Sequence, residues 1–168
     1  MPNRRSSTSI CASANLSICS RRRRGCLCAP PAALPDRCRP DASVRQRADG
    51  RCEYCRMPDS CTVLPHEIDH IKPLKHHGPT TLANLSWACA LCNSFKSSDI
   101  AGYDPATTKL SRLFNPRVEN WDDHFCWNGP TMEGTSAIGR ATVDVLRIND
   151  EARVEHRRLL LREGIAFT

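Results

Sequence analysis

Two C-x-x-C pairs, Cys52/Cys55 and Cys89/Cys92, enclose residues 66–85, "HEIDHIKPLKHHGPTTLANL", which carry four of the six histidines in the chain. A C-x-x-C turn delivers two sulfurs to one ion, and two such turns complete the tetrahedral four-thiolate set of structural zinc. The 33 residues between Cys55 and Cys89 exceed the roughly 12 to 20 of common zinc sites. The histidine-bearing stretch is therefore an insert between two knuckles. A thioredoxin-like redox pair would need one C-x-x-C beside a βαβ pattern, which is absent, and reduced core thiols are the other reading. Cys61 and Cys126 fall outside the pattern and read as small buried residues.

The elements that must position these residues are short. A helix is expected at about 42–49, capped by Asp41 or Ser43 and stopped by Gly50. "RCEYC" is a tight turn, "HEIDHI" alternates as a strand does, and "NLSWA" is a second strand. "LCNSFKSSDIAG" reads as a short helix ending near Gly102. Beyond it, Trp121, Phe125 and Trp127 are expected core anchors. "SAIGRATVDVLRI" is a helix capped by Thr135 or Ser136, and "NDEARVEHRRLLLREG" a second one, capped by Asn149 or Asp150 and stopped at Gly164.

The pattern "CEYC", "IDHIKPLKHHG", "NL", "CALCNSFK" resembles the HNH endonuclease family, in the variant with Asn in place of the final His. Asp69-His70, Asn84 and Asn93 stand at the family's three positions, across about residues 44–100. "LFNPR", "HFCWNGP" and "IGRATVDVLRIN" look like the C-terminal extension of a bacterial branch. The resemblance implies an α+β fold: a zinc-stabilised ββα-metal domain over 41–102, with a helical extension over 103–168 packed on it. It further implies that Asp69 and His70 end the first strand, Asn93 starts the helix and Asn84 ties down the connecting loop. The activity implied is hydrolysis of DNA phosphodiester bonds, with RNA not excluded.

The residue chemistry suits that role. A neutral His70 can accept a proton from water near neutral pH. Asp69 and Asn93 offer the hard oxygens that Mg²⁺ or Mn²⁺ prefers. Taken singly, each has an ordinary reading: Asp-His pairs arise by chance, Asn84 suits a turn and Asn93 a helix N-cap. His66 would share a strand face with His70, in a supporting role. His76 and His77 are loop residues within reach of a phosphate, and Lys96 is either a backbone contact or part of a solvated helix face. A zinc-knuckle nucleic-acid-binding module without catalysis is the competing function. It has no need of the Asp69/His70/Asn93 set.

The net charge of +6 is unevenly spread. Residues 1–40 hold eight arginines and one acid, whereas residues 41–168 hold 16 basic and 17 acidic residues. The nuclease reading must therefore rest on site chemistry and not on overall charge. The tail reads as disordered, with a transit peptide or a downstream start as alternatives. No secretory signal or membrane span is visible, so the expected setting is cytoplasmic, and the 11 cysteines favour metal over disulfides.

Overall fold

A computed structural model describes residues 40–167. The expected disorder of residues 1–40 falls, but for its last residue, outside the described range.

Helix α1 (Pro40–Arg47) begins the described residues, two positions before the expected start at about 42. Val44 of this helix and Ala48 just after it pack against Leu85 and Trp87, a small apolar cluster joined by Ile68. The two strands of the insert, β1 (Glu67–His70) and β2 (Leu85–Ala88), pair antiparallel, with Asp69 opposite Ser86 and His70 opposite Leu85. Helix α2 (Ala90–Lys96) follows at once. Its N-cap is Cys89, whose sulfur accepts the Cys92 N–H, so one residue serves both as helix cap and as thiol of the knuckle.

Helix α2 is shorter than the sequence suggested. It stops at Lys96 because Ser97 turns to a positive φ of 46°. The residues expected to finish it form β3 (Ala101–Tyr103), paired antiparallel with β4 (Leu110–Arg112). A third hairpin pairs β5 (Phe125–Asn128) with β6 (Thr131–Gly134). Helices α3 (Ala137–Val145) and α4 (Glu151–Arg162) close the chain. Ser136 caps α3 by accepting the Gly139 N–H. Asp150 precedes α4 without a side-chain bond, and Gly164 (φ 79°) ends the helix region. Asn149, the other expected cap, instead bonds both main-chain groups of Met132 on β6.

The main core joins the knuckle cysteines, Tyr54 and Met57 to Leu113, Phe114, Trp121, Phe125, Met132, Leu146 and Ile148. Residues from before and after position 102 thus share one apolar interior. Trp121 and Phe125 are buried as expected; Trp127 packs at the edge, over Phe167. Burial of this apolar surface is the dominant favourable contribution to such a fold.

Candidate active site

The two knuckles bring all four cysteines together. Their sulfurs lie within 4.8 Å of one another and all four residues are buried. The Cys55 and Cys89 sulfurs are 3.7 Å apart. That is too long for a disulfide and close to the ~3.8 Å edge of a tetrahedron built on 2.3 Å Zn–S bonds. In each knuckle the first sulfur accepts the N–H of the second cysteine: Cys55 N–H to Cys52, and Cys92 N–H to Cys89. Burial pushes the Cys52 and Cys92 thiols well up, while hydrogen bonds from Cys52, Cys89 and Cys92 hold Cys55 well down. The set is a metal-binding cluster compatible with structural zinc. Arg153, buried on α4, donates to the Cys92 sulfur at 3.1 Å. Burial works against its charge, but the cysteine sulfurs outweigh that and its pKa is raised.

The insert spans the gap between knuckles as strand, loop and strand. Asn84, one residue before β2, fastens the loop. Its Oδ1 accepts the Lys72 N–H, and its Nδ2 donates to the Lys72 and Pro79 carbonyls, all at 2.9 Å. Gly78 makes this closure possible: a Cβ there would stand 1.7 Å from the Lys72 oxygen and 2.9 Å from Asn84 Nδ2. The loop delivers Thr80 to the end of β1, where its Oγ1 lies 2.9 Å from His70 Nε2. His70 is half-buried, with its ring fastened through that nitrogen.

Adjacent strand residues point to opposite faces, and Asp69 turns inward from His70. It is 4% exposed. Its Oδ2 receives the Tyr54 hydroxyl at 2.7 Å and Ser86 Oγ at 3.2 Å; its Oδ1 receives Lys96 Nζ at 3.0 Å. Burial pushes the Tyr54 phenol well up, and the neighbouring Asp69 charge adds to this, so Tyr54 stays a proton donor. A carboxylate offers about four lone-pair positions. Those of Oδ2 are taken, while Oδ1 keeps one.

Asn93 lies on α2 one turn before Lys96, and its Nδ2 donates to Glu67 Oε2 at 2.7 Å. Glu67 and Asp69 share a face of β1, so α2 crosses the strand with Asn93 over Glu67 and Lys96 over Asp69. Among the described residues, no hydrogen bond joins Asn93 to Asp69 or His70. Nor does any His/Cys/Asp/Glu cluster there, other than the four cysteines, draw three ligand atoms together.

The other histidines of the insert separate clearly. His66 is buried, bonded to the Met57 carbonyl at 3.0 Å and set against Trp87; it braces the segment ahead of β1. His76 reaches the Ser98 carbonyl at 3.2 Å, and His77 is exposed in a left-handed conformation. Lys96 is on no solvated face, being 1% exposed. Tyr54, Thr80 and Arg153 carried no signal in the sequence, since each acquires its partner only through the fold.

Residues 52–99 match the HNH endonuclease family. Over those residues the chain is similar to an HNH endonuclease domain. The Septu protein PtuB of Bacillus thuringiensis is 25% identical to this chain over 124 residues. That match covers 71% of this chain but 44% of the relative, so the chain spans less than half the length of PtuB. No solved structure matches the chain. The matched segment comprises both knuckles, the β1–loop–β2 insert and α2. Among the described residues, no helix is long and apolar enough to cross a membrane.

Proposed function

We propose that this protein is a divalent-metal-dependent endonuclease that hydrolyses DNA phosphodiester bonds, with β1, β2 and α2 as a ββα-metal unit. The observation that carries the reading is the setting of His70. It ends a strand inside the four-cysteine frame, next to a carboxylate, with its ring held at Nε2 by Thr80. Held there, the imidazole keeps Nδ1 to take a proton from an attacking water. Asn84 orients the base by fixing the loop that ends at Thr80. Asp69 Oδ1 and the Asn93 amide oxygen are the hard donors for one Mg²⁺ or Mn²⁺, a small set that suits an ion keeping several of its waters. Such an ion, when bound, supplies Lewis-acid stabilisation of charge on the phosphate and on the leaving 3′-oxygen. Cys52, Cys55, Cys89 and Cys92 hold a structural zinc, residues 103–168 brace the domain, and the protein works in the cytoplasm. Exposed Lys72, Lys75 and His77 on the loop after β1 meet the DNA backbone.

A second reading, a zinc-knuckle nucleic-acid-binding module without catalysis, draws support from Asp69, whose carboxylate already receives three internal donors. Supercoiled-plasmid cleavage with added Mg²⁺ or Mn²⁺ separates the two, with a single-stranded RNA assayed alongside. Under the nuclease reading, His70→Ala leaves zinc content, fold and DNA binding intact while cleavage falls by ~10²–10⁴. Asp69→Ala and Asn93→Ala weaken the response to the added ion. Wild-type protein that binds DNA but never cuts, with either ion, decides for the binding module.

A further inference from the structure

Lysine is almost never fully buried without a partner, yet Lys96 is 1% exposed at the end of α2. Its ammonium bridges two oxygens of consecutive residues: Asp69 Oδ1 at 3.0 Å and the main-chain carbonyl of His70 at 2.8 Å. An ion pair serving only to staple α2 to β1 would need the carboxylate alone. The second bond grips the main chain of the very residue that carries the proposed base. The carboxylate is itself fixed by Tyr54, which sits in the knuckle between Cys52 and Cys55, and by Ser86 on β2. A chain of contacts thus runs from the four-cysteine cluster through Tyr54, Asp69 and Lys96 to the His70 carbonyl. Thr80 holds the imidazole from the loop side.

We propose that Lys96 is a positioning residue of the nuclease centre, clamping the end of β1 so that the His70 ring is aimed, and sharing Asp69 Oδ1 with the divalent ion. The inference rests on the roles proposed above for His70 and Asp69. It has a consequence that a merely structural lysine lacks. An ammonium and a divalent ion on one carboxylate oxygen repel each other, strongly where water is scarce. Lys96 therefore weakens the hold of Asp69 on the ion while it fixes the geometry of the base. Removing its charge should damage turnover and tighten metal binding together.

The test uses the full chain, with Mn²⁺ affinity read from the electron paramagnetic resonance of free Mn²⁺, beside zinc content, circular dichroism and plasmid-cleavage kinetics. In Lys96→Met, kcat is expected to fall ~10²-fold, the scale of a base misplaced by about 1 Å. KM stays near the wild-type value, zinc stays bound, and Mn²⁺ binds roughly 10-fold tighter. A variant that was simply damaged would lose Mn²⁺ affinity. Should Lys96→Met fail to fold, Lys96→Gln, which keeps a donor for the His70 carbonyl without the charge, carries the same expectation for Mn²⁺. On the unaltered protein, the Lys96 Nζ resonance should shift when Mg²⁺ is added, and an unmoved resonance at saturation overturns the proposal. So does Mn²⁺ affinity that is lost in Asp69→Asn but unchanged or weaker in a folded Lys96 variant, and that result leaves the nuclease reading standing. Wild-type protein that neither binds Mn²⁺ nor cuts overturns the nuclease reading and this inference with it.

Discussion

Asn84 offers the sharpest separation between a loop-fastening residue and one that performs chemistry. Its side chain makes three hydrogen bonds, to the Lys72 N–H, the Lys72 carbonyl and the Pro79 carbonyl, each 2.9 Å long. At about 0.5–1.5 kcal/mol net for each, Asn84→Ala would cost at most ~4.5 kcal/mol. Asn84 is half-buried, so water replaces part of this, and about 2 kcal/mol is the expected loss. Urea denaturation measures it directly, as a lower midpoint at unchanged slope. Cleavage should fall too, but less than in His70→Ala, because the base is present and only its Thr80 support is loosened. Asn84→Asp makes the test directional. The substitution keeps the acceptor for Lys72 N–H but aims a carboxylate at two carbonyl oxygens, so at pH 8 it should be at least as destabilising as Asn84→Ala. The introduced carboxyl is better tolerated protonated in the folded state, which raises its folded pKa above the unfolded one. The stability of that variant should therefore be lowest above the folded pKa and recover as pH falls through it toward the unfolded one. An Asn84→Ala protein within 0.5 kcal/mol of wild type, with unchanged cleavage, would refute the role given to this loop.

Three further outcomes are expected. Cys52→Ser or Cys89→Ser should unfold the domain, and elemental analysis of wild type should give about one zinc per chain, since metal binding in such sites contributes folding energy directly; a protein still folded in strong chelator would contradict this. Asp104 is buried under Arg140, which bonds both its oxygens at 2.8 Å and, with Thr107 and the Ala106 N–H, holds its carboxyl well below the usual carboxylate range. The resulting stabilisation is present above the unfolded pKa near 4 and is lost as pH falls below it, so Asp104→Asn should lower Tm more at pH 7 than at pH 3. Removal of residues 1–40, with their eight arginines, should weaken DNA binding and flatten its salt dependence without loss of the fold; fluorescence anisotropy at several salt concentrations reads both.

What the sequence made legible was local. The two C-x-x-C pairs announced their cluster because each knuckle is a four-residue turn, and the fold only had to bring two turns together. The β1 and β2 segments were equally accessible, since strand alternation is a short-range feature, whereas the fastening role of Asn84 came only from the family resemblance. The end of α2 was misread because helical pattern and composition carry on past Lys96. In the fold the chain turns at Ser97 with a positive φ, and Ala101–Tyr103 pairs with Leu110–Arg112 as a hairpin. His66 was placed beside His70 by the even spacing of a strand, but β1 starts at Glu67, so the alternation does not reach it. Lys96 could not be separated from a solvated lysine. Its partners lie 26 and 27 residues away in sequence.

The charge balance takes on a different meaning once the partners are known. Seven of the 16 basic residues after position 40 are committed to partners within the protein. Arg47 and Arg117 face Glu53, Arg112 faces Glu119, Arg140 faces Asp104 and Lys96 faces Asp69. Arg153 and Arg157 are buried on α4, one against the Cys92 sulfur and the other against the Ile148 and Pro130 carbonyls. Arg117, half-buried and close to Arg47, has its pKa drawn down to about 10 by that partial burial and is still charged at neutral pH. Each of these charges faces an acid, a cysteine sulfur or a backbone carbonyl of the protein itself. A near-neutral total over residues 41–168 therefore says little about the face around His70, where Lys72, Lys75 and His77 stand exposed with no ion pair among the described residues. If that face meets DNA, three loop side chains and the arginine tail must provide the electrostatic attraction. The dependence of binding on salt should then be shallow for the core and steep for the full chain.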